Sequence, residues 1–252
     1  MTKWWHVSWK RVGIALLVVF GALWLLAGIG IGISNQLEPW LLTRSLFRDN
    51  PNLSIVPAVL PDQSVAPLSG MIVQTYGFSF QTPWNESAKV KNGKSVYLLA
   101  FPEGGVGVLV FNPSRAFESA RMMRDDPRKA QILGEKTVHS SYDLMAAEMW
   151  TKPEQVKWWN PPTQNARYSI LLSMKSMELG DDGAVYAVNF GQVRGFQEGN
   201  PARAPFRVQL ELFDGADQHL GILISGKSGS GPVISQAEIN AMVASIKRVS
   251  VN

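Results

Sequence analysis

Phe206-Arg207-Val208-Gln209-Leu210-Glu211-Leu212 is the stretch that decides the fold. Apolar and polar side chains alternate along it, the period-two signature of a strand with one face in a core and the other in water. One strand cannot bury such a face alone, so the pattern demands partners in an antiparallel sheet. Asp214-Gly215 supplies a turn, and His219 to Ser225 reads as the next strand.

Toward the amino terminus the same signature recurs. Gly180-Asp181-Asp182-Gly183 opens a strand with Tyr186, Val188 and Phe190 on one side. Val96 to Phe101 and Val106 to Phe111 form a hairpin through Pro102-Glu103-Gly104-Gly105. Met71 to Trp84 (MIVQTYGFSFQTPW) starts the sheet, with Phe78 and Phe80 on one face. Between the strands the period changes to that of helices. Phe117, Ala120 and Met123 recur at helical spacing after Asn112-Pro113, and proline-broken helices follow over Pro127 to Gly134, Tyr142 to Trp150, Pro153 to Trp159 and Asn165 to Met177. Thr151 and Glu154 read as a capping box around Lys152-Pro153. Ile170, Leu171, Met174 and Met177 share a face expected to be core, while Lys175 and Ser176 face away. Ser235 and Glu238 cap a closing helix with Ile239, Met242, Val243 and Ile246 on one stripe. The expected fold class is α+β: an antiparallel sheet of about six strands covered by helices, over residues 71–252.

Ahead of that domain, Val12 to Leu37 runs without a charged side chain, between Lys10-Arg11 and Glu38. About 20 such residues at 1.5 Å rise cross a ~30 Å hydrocarbon layer with all backbone groups satisfied inside the helix. The sequence therefore predicts one transmembrane helix, and an uncleaved signal anchor, because the apolar region of a cleaved signal peptide is only about 7–15 residues. Lys3, Lys10 and Arg11 place residues 1–11 in the cytoplasm and the main domain outside, in the inner membrane of a bacterium. Trp4, Trp5, Trp9 and Trp40 would sit at the two headgroup levels. Gly28 and Gly32 make a small-residue face on which two helices could pair. Residues 38–70 read as a juxtamembrane segment followed by an extended tether, because Pro51, Pro57, Pro61 and Pro67 forbid helix and remove ladder donors.

Charge and chemistry narrow the function. Three of the 24 Lys and Arg precede the apolar run, leaving 21 bases against 20 acids, so the rest of the chain is nearly neutral. A nucleic-acid ligand needs a basic footprint and is not expected. The absence of cysteine excludes thiol chemistry and thiolate metal sites, and suits an exported domain with its own core. Gly221-Ile-Leu-Ile-Ser-Gly226-Lys227-Ser228 matches the phosphate-loop expression. Its variable positions read as strand, and Gly229-Ser230-Gly231-Pro232 cannot open the helix that phosphate binding requires, so no nucleotide is expected. His139, four residues before Asp143, lacks the further ligands of a metal site. His219 has no nucleophile in a G-x-S-x-G context. A hydrolase using His139 or His219 is the alternative reading, and no catalytic, cofactor or metal residues are assigned.

Recognition is the remaining class. The stretch Gly195 to Pro205 reads as a long Gly/Pro loop presenting Phe196, Glu198 and Arg203. Trp158-Trp159 before Asn160-Pro161-Pro162 is a second aromatic candidate.

The opening YGFSFQTPW and the closing SQAEINAMVASIK resemble the two ends of PsbP-like domains. That resemblance implies an α/β sandwich of the kind found in exported and lipid-anchored proteins, and a binding or assembly role in place of catalysis. The expected function is a non-enzymatic binding or accessory factor of an envelope complex, with an envelope protein as partner.

Overall fold

The computed structural model describes residues 40–41, 44–45, 50–87, 89–101, 105–112, 132–133, 140–179, 183–203, 206–226 and 233–249. The strands are β1 (Ala58–Val59), β2 (Ile72–Thr75), β3 (Phe78–Gln81), β4 (Lys89–Asn92), β5 (Val96–Phe101) and β6 (Val106–Phe111). Two helices follow, α1 (Ser141–Trp150) and α2 (Pro162–Glu178), with a 3-10 turn at Pro153–Gln155 between them. Then come β7 (Val185–Phe190), β8 (Val193–Glu198), β9 (Arg207–Asp214), β10 (His219–Gly226), helix α3 (Gln236–Ala244) and β11 (Lys247–Arg248).

The alternation on β9 has the consequence expected of it. Val208, Leu210 and Leu212 are fully buried, and β9 lies inside an eight-stranded sheet ordered β1-β7-β8-β9-β10-β6-β5-β4. The β5–β6 hairpin pairs Phe101 with Val106 across its turn, and the β9–β10 hairpin pairs Phe213 with His219. Asp214 closes the latter by accepting from the backbone N–H groups of Ala216 and Gln218. At α3 the capping box forms as the sequence predicts: Ser235 Oγ accepts from Glu238 N, and Glu238 Oε2 accepts from Ser235 N.

The expected fold class needs correction in three respects. The main sheet has eight strands instead of about six, and it is mixed, because β1 runs parallel to β7. A second sheet, β11-β3-β2, packs with α3 over one face, so that Val73, Phe78, Phe80, Ile239 and Met242 share a core with Leu210, Ile222 and Val108. And among the described residues no helix is long and apolar enough to cross a membrane, against the single-pass anchor and membrane assignment read from the sequence. The run Val12 to Leu37 that prompted that reading, with Gly28 and Gly32, lies outside the described residues.

Of the strands that the sequence reading lacks, β1, β4, β8 and β11, two have a clear physical reason. On β8 the alternation is broken by Gly195, where an added Cβ would lie 1.9 Å from the carbonyl oxygen of Glu211 on the neighbouring strand. Only glycine permits that approach, yet glycine in a sequence reads as loop. On β1, Pro57 and Pro61 leave room for a two-residue edge strand, the position in a sheet where proline is tolerated nearby.

The proline-rich stretch is not a free tether. Leu53 and Leu60 are buried, and Ala66 N donates to Ala237 O on α3. Extended backbone leaves its carbonyls without intrasegment donors. Asn240, itself 1% exposed, fills the need by donating through Nδ2 to the carbonyls of Asp62 and Ser64. Trp40, expected at a headgroup level, instead packs against Leu53, Val156 and Leu172, with the Arg44 guanidinium 5.3 Å above its ring.

The other face of the main sheet is covered by α1 and α2, where Val185, Phe196 and Phe213 meet Leu144, Met145, Met149, Leu171 and Met174. α1 follows the sequence reading to within a residue, α2 starts at Pro162, three residues before the expected Asn165, and Pro153 to Trp159 forms only the short 3-10 turn. Its expected Thr151–Glu154 capping box is replaced by Lys152 N donating to Gln155 Oε1. Two ionisable groups lie inside this layer. Lys175, expected to face away, is fully buried and donates to the carbonyls of Leu53, Ile55, Met149 and Thr151.

Glu148 on α1 is also fully buried, and neither carboxyl oxygen has a hydrogen-bond partner. Burial pushes its pKa well above the carboxylate range, and the nearby Glu178 pushes the same way. A carboxyl whose folded pKa is raised contributes its stability below the unfolded value, and that contribution falls as pH rises through the interval between the two values. Glu148→Met is therefore expected to raise stability by about 1–3 kcal/mol at pH 7.5, with the gain vanishing near pH 4. Urea melts of both proteins at the two pH values check this, and a pH-independent or negative difference contradicts it.

Candidate functional site

The site is built on the turn that joins the 3-10 turn to α2. Val156 is buried against Leu53 and Leu172 and fixes where the turn begins. Pro161 and Pro162 start α2 at a place where a missing N–H leaves nothing unsatisfied. Between them, Asn160 N donates to Lys157 O at 3.0 Å, which closes Lys157 to Asn160 as a β-turn with Trp158 and Trp159 at its centre.

Asparagine amides brace this turn from beneath. Asn165, fully buried in the first turns of α2, donates through Nδ2 to Lys157 O at 2.8 Å and accepts through Oδ1 from Asn160 Nδ2 at 3.0 Å. Asn160 Nδ2 also donates to Gln155 O at 2.7 Å. Central turn positions usually carry Gly, Asn, Pro, Asp or Ser. Here they carry two tryptophans, 54% and 61% exposed, whose rings meet edge to face at 5.6 Å. Lys157 Nζ stands 5.4 Å from the Trp159 ring. Two large apolar rings are thus more than half exposed on a turn braced by hydrogen bonds.

A cleft of about 630 Å³ opens where the turn ends, lined by Ile132, Pro161, Thr163, Gln164, Arg167 and Tyr168. Gln164 Nε2 donates to the Tyr168 hydroxyl at 3.1 Å. Arg167 Nε is buried without an acceptor, and the described lining residues include no acid.

The structure does not gather the five residues nominated from the sequence. Trp158 and Trp159 are presented together, as stated. Phe196 is on β8, not in a loop; it is 3% exposed and stacks on Tyr142 at 6.0 Å. Its assignment to a partner surface is corrected, because it opposes Glu211 on the sheet face that α1 covers. Glu198 ends β8 half-buried. Arg203 is exposed in a turn closed by Arg203 N donating to Asn200 O, in the connection between β8 and β9, which is shorter than the loop expected over Gly195 to Pro205 because Gly195 to Glu198 belong to β8. Sequence reasoning missed Asn160, Asn165 and Arg167. The signal for Asn160 was present in the run Trp158-Trp159-Asn160-Pro161-Pro162, where an amide sits between aromatics and a proline helix start, whereas no local pattern marks Asn165 or Arg167.

Groups suited to catalysis are elsewhere. His219 is 5% exposed and its Nε2 lies 2.5 Å from Glu211 Oε2, with the Phe213 ring tilted against it at 4.8 Å. This pair is a buried strand-to-strand link between β9 and β10, closed to a substrate. His139 and Lys227 lie outside the described residues. Gly221 to Gly226 of the phosphate-loop match is part of β10. Among the described residues no cluster of three or more His, Asp or Glu is placed to hold a metal. No protein-family description, curated protein or solved structure matches the chain.

Proposed function

We propose that this protein is a non-enzymatic binding module of the bacterial cell envelope, an accessory or assembly factor that captures a protein partner through Trp158 and Trp159. The carrying observation is the pair of tryptophans, each more than half exposed, on a turn braced by the buried Asn165 amide. Exposed tryptophan is enriched among the few residues that supply most interface energy, and a rigid turn removes the ordering cost of engaging it. The resemblance of YGFSFQTPW and SQAEINAMVASIK to PsbP-like domains, and the lack of cysteine, support the same reading.

The test separates binding from folding. A double Trp158→Ala, Trp159→Ala variant is expected to unfold within about 0.5 kcal/mol of the parent, as surface changes do. Its yield of co-purified partner from envelope extracts should fall by an order of magnitude or more, since truncating a hot spot costs about 2 kcal/mol. Undiminished co-purification, or a large loss of stability, contradicts the proposal.

A further inference from the structure

We infer that the cleft beside the tryptophan turn receives a carboxylate, so that the segment recognised is an acidic peptide with an apolar side chain about three residues from the acid. The inference rests on the reading of Trp158-Trp159 as a binding surface and names the ligand chemistry of that surface.

The cleft is continuous with the turn, because Pro161 follows Asn160 in the chain and also lines the opening. Its wall carries the Arg167 guanidinium, whose Nε is removed from solvent yet meets no acceptor. A buried donor without a partner is costly, and arginine matches a carboxylate through two parallel N–H···O bonds. Thr163, Gln164 and Tyr168 add hydroxyl and amide groups on the same wall. Lys157 places a second positive charge over the Trp159 ring. A ligand that is anionic at one end and apolar at the other satisfies both parts of the site.

Helix geometry gives the spacing. Pro161 adjoins the tryptophan turn and forms the near rim of the cleft, and six residues further on, at 1.5 Å each, Arg167 stands about 9 Å from it along α2. An extended peptide covers that distance in about three residues at 3.3 Å each. The occupant is thus a short extended segment whose apolar side chain lies on the indole rings and whose carboxylate enters the cleft.

The experiment uses the full chain and follows intrinsic tryptophan fluorescence. The probes are acetyl-Leu-Ser-Ser-Asp and its counterpart with asparagine in place of aspartate, both amidated at the carboxyl terminus, together with acetate and inorganic phosphate alone. The aspartate peptide is expected to give a saturable change at least tenfold tighter than the asparagine peptide. Arg167→Met should weaken it at least tenfold without shifting the midpoint of thermal unfolding, and Arg167→Lys should recover part of the loss. Equal binding of the two peptides, or an unaltered Arg167→Met, overturns the inference. Phosphate binding as tightly as the aspartate peptide overturns it too, by showing a plain anion site. If the double tryptophan variant loses partner capture while Arg167→Met retains peptide binding, the carboxylate inference falls and the tryptophan surface stands. If neither variant changes anything, both fall.

Discussion

Lys175→Met is expected to lower the unfolding free energy by about 3 kcal/mol, because the three N–H donors of the ammonium, shared among four carbonyls, are lost at about 1 kcal/mol each. The side chain volume is nearly kept, so the loss reports the hydrogen bonds and not a cavity. The four acceptors belong to two separate pieces of chain: Leu53 and Ile55 precede β1, while Met149 and Thr151 end α1. The last turn of α1 has no basic residue of its own, and Lys175 on α2 supplies the cation that its carbonyls favour. Burial first and the charge of Lys152 second pull this ammonium down to about 8, against the opposing pull of Glu154. The sign of the pH effect follows. Between about 8 and the ordinary value of 10.5 the unfolded chain holds a proton that the folded chain has released, so stability from this group rises with pH across that window. The difference between parent and Lys175→Met should be flat below pH 8 and grow above it. Urea titrations at pH 7 and pH 9.5 measure both quantities, and a variant as stable as the parent at pH 7 removes the structural role argued for Lys175.

Lys175 also marks where sequence reading ends. Lys175 follows Leu171 by four residues, so helical period puts the two on one side of α2, and the expectation that it faces away assumes that α2 has one narrow covered face. The chain before β1 and the end of α1 cover a second face, which no local pattern on α2 records. The same limit explains the proline-rich stretch. Pro57 and Pro61 exclude helix as expected, whereas Pro51 opens a 3-10 turn over Pro51–Ser54, and whether the extended chain stands free or lies along α3 depends on Asn240, far away in sequence. What was legible was local: the alternation of β9, the β5–β6 turn, and the Ser235–Glu238 capping box depend on neighbours a few residues apart. At the candidate site the aromatic turn was visible as Trp158-Trp159 before two prolines. Its outward presentation was not, because packed and presented tryptophans look alike until the amides beneath them are placed.

Phe196→Ala is expected to cost about 3–5 kcal/mol of stability, the range for deleting a buried aromatic ring. Phe196 is 3% exposed in the layer between sheet and helices, with Tyr142 stacked on it and Phe213 of β9 in the same cluster. Tyr142 in turn lies under the Arg194 guanidinium at 3.9 Å, so removal of the Phe196 ring unsupports a stack that reaches the surface. The hole cannot close by backbone shift at its own strand, because Gly195 already brings β8 as near to β9 as side chains permit. The contrast with Trp158 and Trp159 is the useful part. Sequence alone made all three candidates for partner binding, and burial divides them: one ring should govern stability, two should govern capture. Urea melts and co-purification on the same preparations decide it. A Phe196→Ala protein that melts like the parent but no longer captures partner would move the recognition surface to β8 and leave the tryptophan turn without a role.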